Sequence, residues 1–355
     1  MISLLKQIND LENWDYYERE KEFKLNKIES WNDESEHKKF IKYFLEISGK
    51  NVVFEHLDIK LNELSRKIHT NSVYFLGALF YEKLNLKELE KYERNDLSKQ
   101  FHFIWFLSAL VHDFYHDKER KQEAFPEINE DINSIKVENK LLAYIKENKK
   151  ILEKNEKNEK LFKTIPNYFK YRLRDGKLDH GITTGIKLFD SLEKNRKVRK
   201  EQVENGVENS ILYWGDDLTP LYAQASLSIA MHNIWSSGEK EEIKEKYRNL
   251  GLESLITGES DIFPISIKDN PLLFLLGLVD TIEPIKTFNC LEPQYVLENI
   301  LIDFDKNKIT ISNKETSILS FERLIKNVKG LKDWLDVELP DIDNSINKII
   351  IIIKR

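Results

Sequence analysis

Cysteine is nearly absent from this chain, because Cys290 is the single example in 355 residues. One cysteine cannot close an internal disulfide, which excludes a disulfide-stapled scaffold. Long apolar runs are missing too, and none reaches the length of about 20 residues that spans a bilayer. Residues 1–6 lead into an acidic, tryptophan-containing segment without the apolar core of a secretory signal. We therefore expect a cytoplasmic protein with no membrane partner.

A net positive charge is also absent. Lys and Arg total 55 against 61 Asp and Glu, which gives a formal net charge of -6. Binding along a phosphate backbone relies on clustered Lys and Arg, so this balance argues against a general nucleic-acid coat protein, while a local basic groove stays open. A glycine-rich phosphate loop is absent as well. The length suits one large helical domain with a small appendage.

The chain does contain an ordered series of histidines and aspartates at the ends of apolar, helix-like runs. In order, the series is His69, the adjacent pair His112 and Asp113, His180, His232 and Asp280. The run 101–111 precedes His112, for example, and the run 272–279 precedes Asp280. A buried polar group without a partner costs roughly 2–7 kcal/mol. A shared metal ion would explain why so many polar residues interrupt core-like helices.

Imidazole and carboxylate donors together suit divalent transition ions such as Mn, Fe, Co, Ni or Zn, because calcium prefers oxygen ligands throughout. Each histidine taken alone is more often a hydrogen-bonded core residue, and only the joint pattern favours a metal site. Three other histidines, His37, His56 and His102, lack that context and are interpreted as surface or core residues.

The order H…HD…H…H…D resembles the signature of the HD superfamily of metal-dependent phosphohydrolases. The resemblance covers roughly residues 60 to 290 and implies a mainly α fold, an HD-type helical bundle. It also implies that one metal is bound by four residues, namely His69, His112, Asp113 and Asp280. In members with the longer histidine set, Asp113 would bridge to a second metal held by His180 and His232. Two alternatives stay open: the site holds a single metal ion, or two of the histidines contact the phosphate directly.

Neighbouring residues bear on the substrate. Segment 278–286 resembles the D-x-I-E-P-x-R segment of HD-type diadenosine tetraphosphate hydrolases, with Lys286 at the basic position, which favours nucleotide polyphosphates. Many HD hydrolases continue the pair as H-D-x-G-K, but here the phosphate-contacting lysine is absent or replaced by His116. The GYP signature of cyclic-dinucleotide phosphodiesterases is missing. So is the His-His pair of CRISPR-associated HD nucleases, since Asn233 follows His232.

Basic residues lie just before His180. Arg172 and Arg174 could reach substrate phosphates, because guanidinium groups match phosphate oxygens in pairs. An equally weighted interpretation is a charged loop that caps the next helix, with Asp179 as the N-cap residue.

Three parts are expected along the chain. Residues 1–60 form an N-terminal helical extension; 61–290 form the HD domain with a charged insertion at about 118–165; and 291–355 form a small α+β module. In that module, 296–305, 308–313 and 346–354 alternate like strands, and 321–334 has helical spacing. Its expected role is structural, or oligomer-forming through a strand edge.

The sequence thus predicts a metal-dependent hydrolase that cleaves a nucleotide or another small phosphoester with a metal-activated water. The residues assigned to catalysis are Asp113, His116, Arg172, Arg174 and Lys286. Two alternatives stay open: an HD nuclease or phosphodiesterase acting on DNA or RNA, and a non-catalytic HD module that senses a nucleotide.

Overall fold

A computed structural model describes eleven parts of the chain. They are residues 1–11, 67–86, 100–116, 139, 156–174, 179–206, 219–235, 241–315, 317, 319–344 and 346–355. Residues 12–60 of the expected N-terminal helical extension, most of the charged insertion, and His37 and His56 lie outside these described residues.

Helices dominate the described chain, which confirms a mainly α fold. They are α1 (Leu4–Asp10), α2 (Lys67–Leu84), α3 (Gln100–Val111), α4 (Glu156–Arg174), α5 (His180–Glu204), α6 (Thr219–Met231), α7 (Glu241–Asn249), α8 (Pro271–Ile282), α9 (Pro284–Thr287), α10 (Pro293–Asn299), α11 (Glu322–Lys329) and α12 (Leu331–Trp334). A 3-10 turn, Glu253–Leu255, follows α7. None of the helices in the described ranges is long and apolar enough to span a membrane.

Several helix ends follow from local sequence. The carboxylate of Asp179 accepts a hydrogen bond from the Ile182 backbone N–H and caps α5, so His180 is the first helical residue. That confirms the expected N-cap role of Asp179. Pro271 occupies the first turn of α8, where a proline costs no hydrogen bond.

A five-stranded antiparallel sheet completes the fold. Its strands are β1 (Ile2–Ser3), β2 (Ile300–Asp305), β3 (Lys308–Asn313), β4 (Val337–Glu338) and β5 (Lys348–Ile353), in the spatial order β1-β2-β3-β5-β4. The hairpin of β2 and β3 turns at residues 306–307, as the sequence predicts. The start of the chain adds the edge strand β1, since Ile2 pairs with Ile302.

One predicted strand begins too early. Residues 296–299 belong to α10 and not to the strand expected from 296. Pro293 in the first turn favours a helix, and Val296 and Leu297 are buried from it. Strand pairing begins only at Ile300, opposite Asn313.

Two compact units divide the described chain. The first unit contains residues 1–11, 67–86, 100–110 and the described residues from 263 onward, and the second contains the described residues between 111 and 262. The three-part division expected from the sequence, with boundaries near 60 and 290, is a different partition and stays a prediction.

Within the first unit, α2 packs against α8 and near the sheet. The indole N–H of Trp105 donates a 2.8 Å hydrogen bond to the Tyr74 carbonyl, which ties α3 to α2. Phe80 on α2 meets Phe304 of β2 edge to face. His102 is buried against Tyr81, which agrees with its interpretation as a surface or core residue.

Within the second unit, α5 and α6 approach almost backbone to backbone. A Cβ atom on Gly185 would lie 2.4 Å from the Ser226 carbonyl oxygen, and one on Gly181 would lie 2.9 Å from that of Ile229. Only glycine fits at such distances. The two glycines are four residues apart and share one face of α5, so they set the separation of the two helices.

Candidate metal centre

Four of the predicted ligands meet inside the second unit, and we call them the second-unit cluster: His112, Asp113, His180 and His232. His112 and Asp113 lie in the turn directly after α3, His180 begins α5, and His232 follows the last residue of α6. All four side chains are buried. The positions at helix ends are those the apolar runs predict.

A single oxygen stands at the centre of this cluster. Asp113 Oδ1 lies 3.7 Å from His112 Nε2, 3.4 Å from His180 Nε2 and 3.9 Å from His232 Nε2. The Nε2 atoms of His180 and His232 are 3.4 Å apart. Good N–H···O hydrogen bonds are shorter, at about 2.7–3.2 Å. Zinc bonds of about 2.0–2.2 Å would instead place two tetrahedral ligand atoms about 3.3–3.6 Å apart, so the spacing suits a shared cation.

The tautomer of His232 also suits a ligand. Its Nδ1 lies 2.6 Å from the Ile229 carbonyl oxygen. A ring nitrogen that faces a carbonyl has to carry the proton, so Nε2 of the neutral ring keeps its lone pair and faces Asp113 and His180. Metal-binding histidines are commonly oriented by such a hydrogen bond from the other ring nitrogen.

Two further side chains border the cluster. The His116 ring lies 5.1 Å from the His180 ring, centroid to centroid, so the fold brings this predicted residue to the site. The amide nitrogen of Asn233 lies 3.3 Å from His180 Nε2. Sequence reasoning gave Asn233 no role, and its position directly after His232 was the only available signal.

The other two predicted ligands meet inside the first unit. His69, in the first turn of α2, has Nε2 2.9 Å from Asp280 Oδ1 and Nδ1 2.9 Å from Glu283 Oε2. Lys286 donates a 2.7 Å hydrogen bond to the same Asp280 oxygen. We call these four residues the first-unit cluster.

Glu283 is the functional candidate that sequence reasoning missed. It is fully buried and accepts hydrogen bonds from the backbone N–H groups of Ile285 and Lys286 as the N-cap residue of α9. The signal was the Glu-Pro pair at the start of a helix, where a capping carboxylate is common. The same carboxylate fixes the ring of His69.

The charges of the first-unit cluster can balance without a metal ion. Burial lowers the pKa of His69, but the hydrogen bonds to Asp280 and Glu283 outweigh burial and raise that pKa to about 9. A protonated His69 and Lys286 then balance two carboxylates. The second-unit cluster has one carboxylate among three imidazoles, so it is the stronger candidate for a cation.

The predicted arginines lie in a helix and not in a loop. Arg172 and Arg174 belong to the last turn of α4. Residues such as Phe169 bury one face of this helix near its end, which favours helix there. Arg172 Nε lies 3.8 Å from Asp179 Oδ2, beside the cap of α5. The side chain of Arg174 is outside the described atoms.

Comparison with known proteins gives no relative. No family model matches the chain, and no match was found among curated proteins or among solved structures. The HD resemblance therefore rests on the motif order. The joint ligand set that it implies, with His69 and Asp280 on the same metal as His112 and Asp113, stays a prediction.

Proposed function

We propose that the protein is a metal-dependent phosphohydrolase of the HD type that acts on a nucleotide or another small phosphoester. The observation that carries the proposal is the convergence of Asp113 Oδ1 with three imidazole Nε2 atoms at 3.4–3.9 Å. Three imidazoles and one carboxylate suit Mn, Fe, Co, Ni or Zn. One ion would bind in this cluster, and a second ion would be present if the first-unit cluster also binds metal.

A divalent ion held there would activate a water molecule and offset charge on the phosphoryl oxygens. The residues of the chain supply the rest. Asp113 would orient that water or accept its proton, and His116, whose ring lies against that of His180, would contact a phosphoryl oxygen. Arg172 and Lys286 stay candidates for additional phosphate contacts.

Metal content and turnover, measured on one protein preparation, test the proposal. The protein would be loaded with Mn, Co, Ni or Zn, dialysed, analysed for metal, and assayed with nucleotides, a model phosphoester and single-stranded DNA. We expect bound metal and hydrolysis of a small phosphoester. Asp113→Asn should lose both, because it removes the central charge while keeping the side-chain shape.

The matched control is Asp190→Asn, a carboxylate on α5 that pairs with Lys194 at the surface. This control should keep metal and turnover. Hydrolysis of DNA in preference to small esters would replace the proposal with the nuclease alternative. Metal binding without hydrolysis of any of these substrates would favour the sensing module.

A further inference from the structure

A cavity of about 690 Å³ lies in the C-terminal part of the first unit, between α11 and the residues just before β5. None of the described residues that line it belongs to the first-unit cluster or the second-unit cluster. Cavities that bind small molecules usually measure about 300–1,000 Å³. The volume therefore suits a small organic molecule, and it exceeds what a single inorganic ion needs.

The lining of this cavity carries a net positive charge, although the whole chain has a formal charge of -6. Arg323, Lys326 and Lys329 of α11 line it, and Glu322 is the one acidic residue among the described lining residues. The three basic residues are spaced three apart, so they are neighbours along the helix surface. Like charges at this spacing repel each other, and an anion bound between them would relieve the repulsion.

Two of the three basic side chains have no acidic partner. Lys329 Nζ lies 3.1 Å from Asp343 Oδ1. Within the part of the chain that the structure describes, no ion pair or hydrogen bond joins the side chain of Arg323 or Lys326 to another residue. These two groups are therefore available to an anion that enters the cavity.

The same cavity also has an apolar side. Phe321, Ile325 and Ile346 contribute to the lining. Phe321 and Ile325 are buried, whereas Ile346 is 77% exposed, more than any other large apolar side chain of the described residues. A single exposed apolar side chain is ordinary, and Ile346 matters here because it borders the same cavity as the two unpaired cations. A ligand with an apolar body would remove it from water, which is favourable.

We propose that this cavity binds a small organic anion, with its acidic group between Arg323 and Lys326 and its apolar or aromatic body against Ile346. Guanidinium and ammonium groups donate charge-assisted hydrogen bonds to carboxylate, sulfate or phosphate oxygens alike. The site requires neither a metal ion nor turnover at the second-unit cluster, so it stands or falls independently of the proposed hydrolase.

The test is a fluorescence titration with two probes that differ only in charge. Anilinonaphthalene sulfonate is the organic anion, and phenylnaphthylamine has the same rings without the sulfonate. The wild-type protein should bind the sulfonate more tightly, and added salt should weaken only sulfonate binding. The double variant Arg323→Gln, Lys326→Gln should lose roughly tenfold in sulfonate affinity, as expected for two partly exposed charge contacts. Its affinity for phenylnaphthylamine should stay within about twofold.

Ile346→Ser tests the apolar side of the cavity. It should weaken binding of both probes about fivefold, because both lose the same apolar contact. Lys332→Gln is the control for the basic residues, since Lys332 is an exposed lysine on the neighbouring α12 that is not among the lining residues. The control should change neither affinity.

Two results with the probes overturn the inference: an unchanged sulfonate affinity in the double variant, or equal affinities of the wild-type protein for both probes. The oligomeric state supplies a third result. A wild-type protein that is dimeric and becomes monomeric in Ile346→Ser would show that a second copy of the chain fills the cavity, in place of a small anion.

Discussion

His69 Nδ1 and Glu283 Oε2 lie 2.9 Å apart, although the two residues are separated by 214 positions in the sequence. Glu283 is held in turn by the backbone at the start of α9. The ring of His69 therefore has one orientation, with Nε2 toward Asp280. Burial lowers the pKa of His69, but the hydrogen bonds to Asp280 and Glu283 together outweigh it, which leads to a prediction for the metal-free protein.

The metal-free protein should lose stability as pH rises from neutral to alkaline. The pKa of His69 is about 9 in the folded state, above its ordinary value of 6.5, so protonation favours the folded state. This contribution is fully present below about pH 6.5 and is lost as pH rises through about 9. Urea unfolding across this range, with an imidazole titration by NMR, measures it.

Glu283→Gln should lower the pKa of His69, because a neutral amide replaces one of the two carboxylates beside the ring. Glu298→Gln is the control, since Glu298 is a surface carboxylate bonded to Gln294 on α10. A His69 ring that titrates near its ordinary value in the wild-type protein would contradict the prediction.

The second-unit cluster should keep one metal ion when the first-unit cluster is disrupted. It contains four candidate ligand side chains of its own, so His69→Gln should retain one ion per chain, whereas His232→Gln should lose most of it. Elemental analysis after dialysis measures both. Loss of all metal in His69→Gln would instead support the shared ligand set implied by the HD resemblance.

Gly185→Ala should destabilise the second unit and weaken metal binding together. The added Cβ would meet the Ser226 carbonyl oxygen at 2.4 Å, so α5 and α6 have to separate, which moves His180 away from His232. Overpacking of this kind costs about 1–3 kcal/mol in unfolding free energy. Thermal unfolding and metal affinity measure the two effects.

Gly330→Ala serves as the control for that change, since its nearest neighbour would lie 3.6 Å from the new Cβ and its φ of -71° is helical. It should leave the melting temperature and metal affinity nearly unchanged. Unchanged metal affinity in a destabilised Gly185→Ala variant would show that helix separation does not set the geometry of the cluster.

Under the proposed function, Arg172→Ala should lower kcat/KM roughly thirtyfold while metal content stays constant. One charge-assisted phosphate contact is expected to contribute about 2 kcal/mol to transition-state stabilisation. Arg248→Ala is the control, because Arg248 is exposed and pairs with Glu241 and Glu259. Wild-type kinetics in Arg172→Ala would leave Arg172 with a structural role beside Asp179.

Local sequence determined where the candidate ligands lie in their helices. The apolar run before His112 ends α3, and the carboxylate of Asp179 caps α5 so that His180 begins it. The hairpin of β2 and β3 was predictable for the same reason, because alternation and turn residues act over a few positions. Sequence pattern alone does not separate the helix 293–299 from the strand that follows it, because the apolar pair Val296 and Leu297 fits either element and only Pro293 favours the helix.

Tertiary structure alone decided which of these residues meet and which of them carry a charge. The rings of His180 and His232 meet because Gly181 and Gly185 let α5 approach α6, and no periodicity reports an interhelical distance. Tertiary structure also placed Glu283 against His69 and Lys187 against Tyr115. The first contact joins residues 214 positions apart in the sequence, and the second joins residues 72 positions apart. Packing and desolvation act over such separations, whereas local propensity does not. The order of the candidate ligands is therefore a property of the sequence, while their distances and charges are properties of the fold.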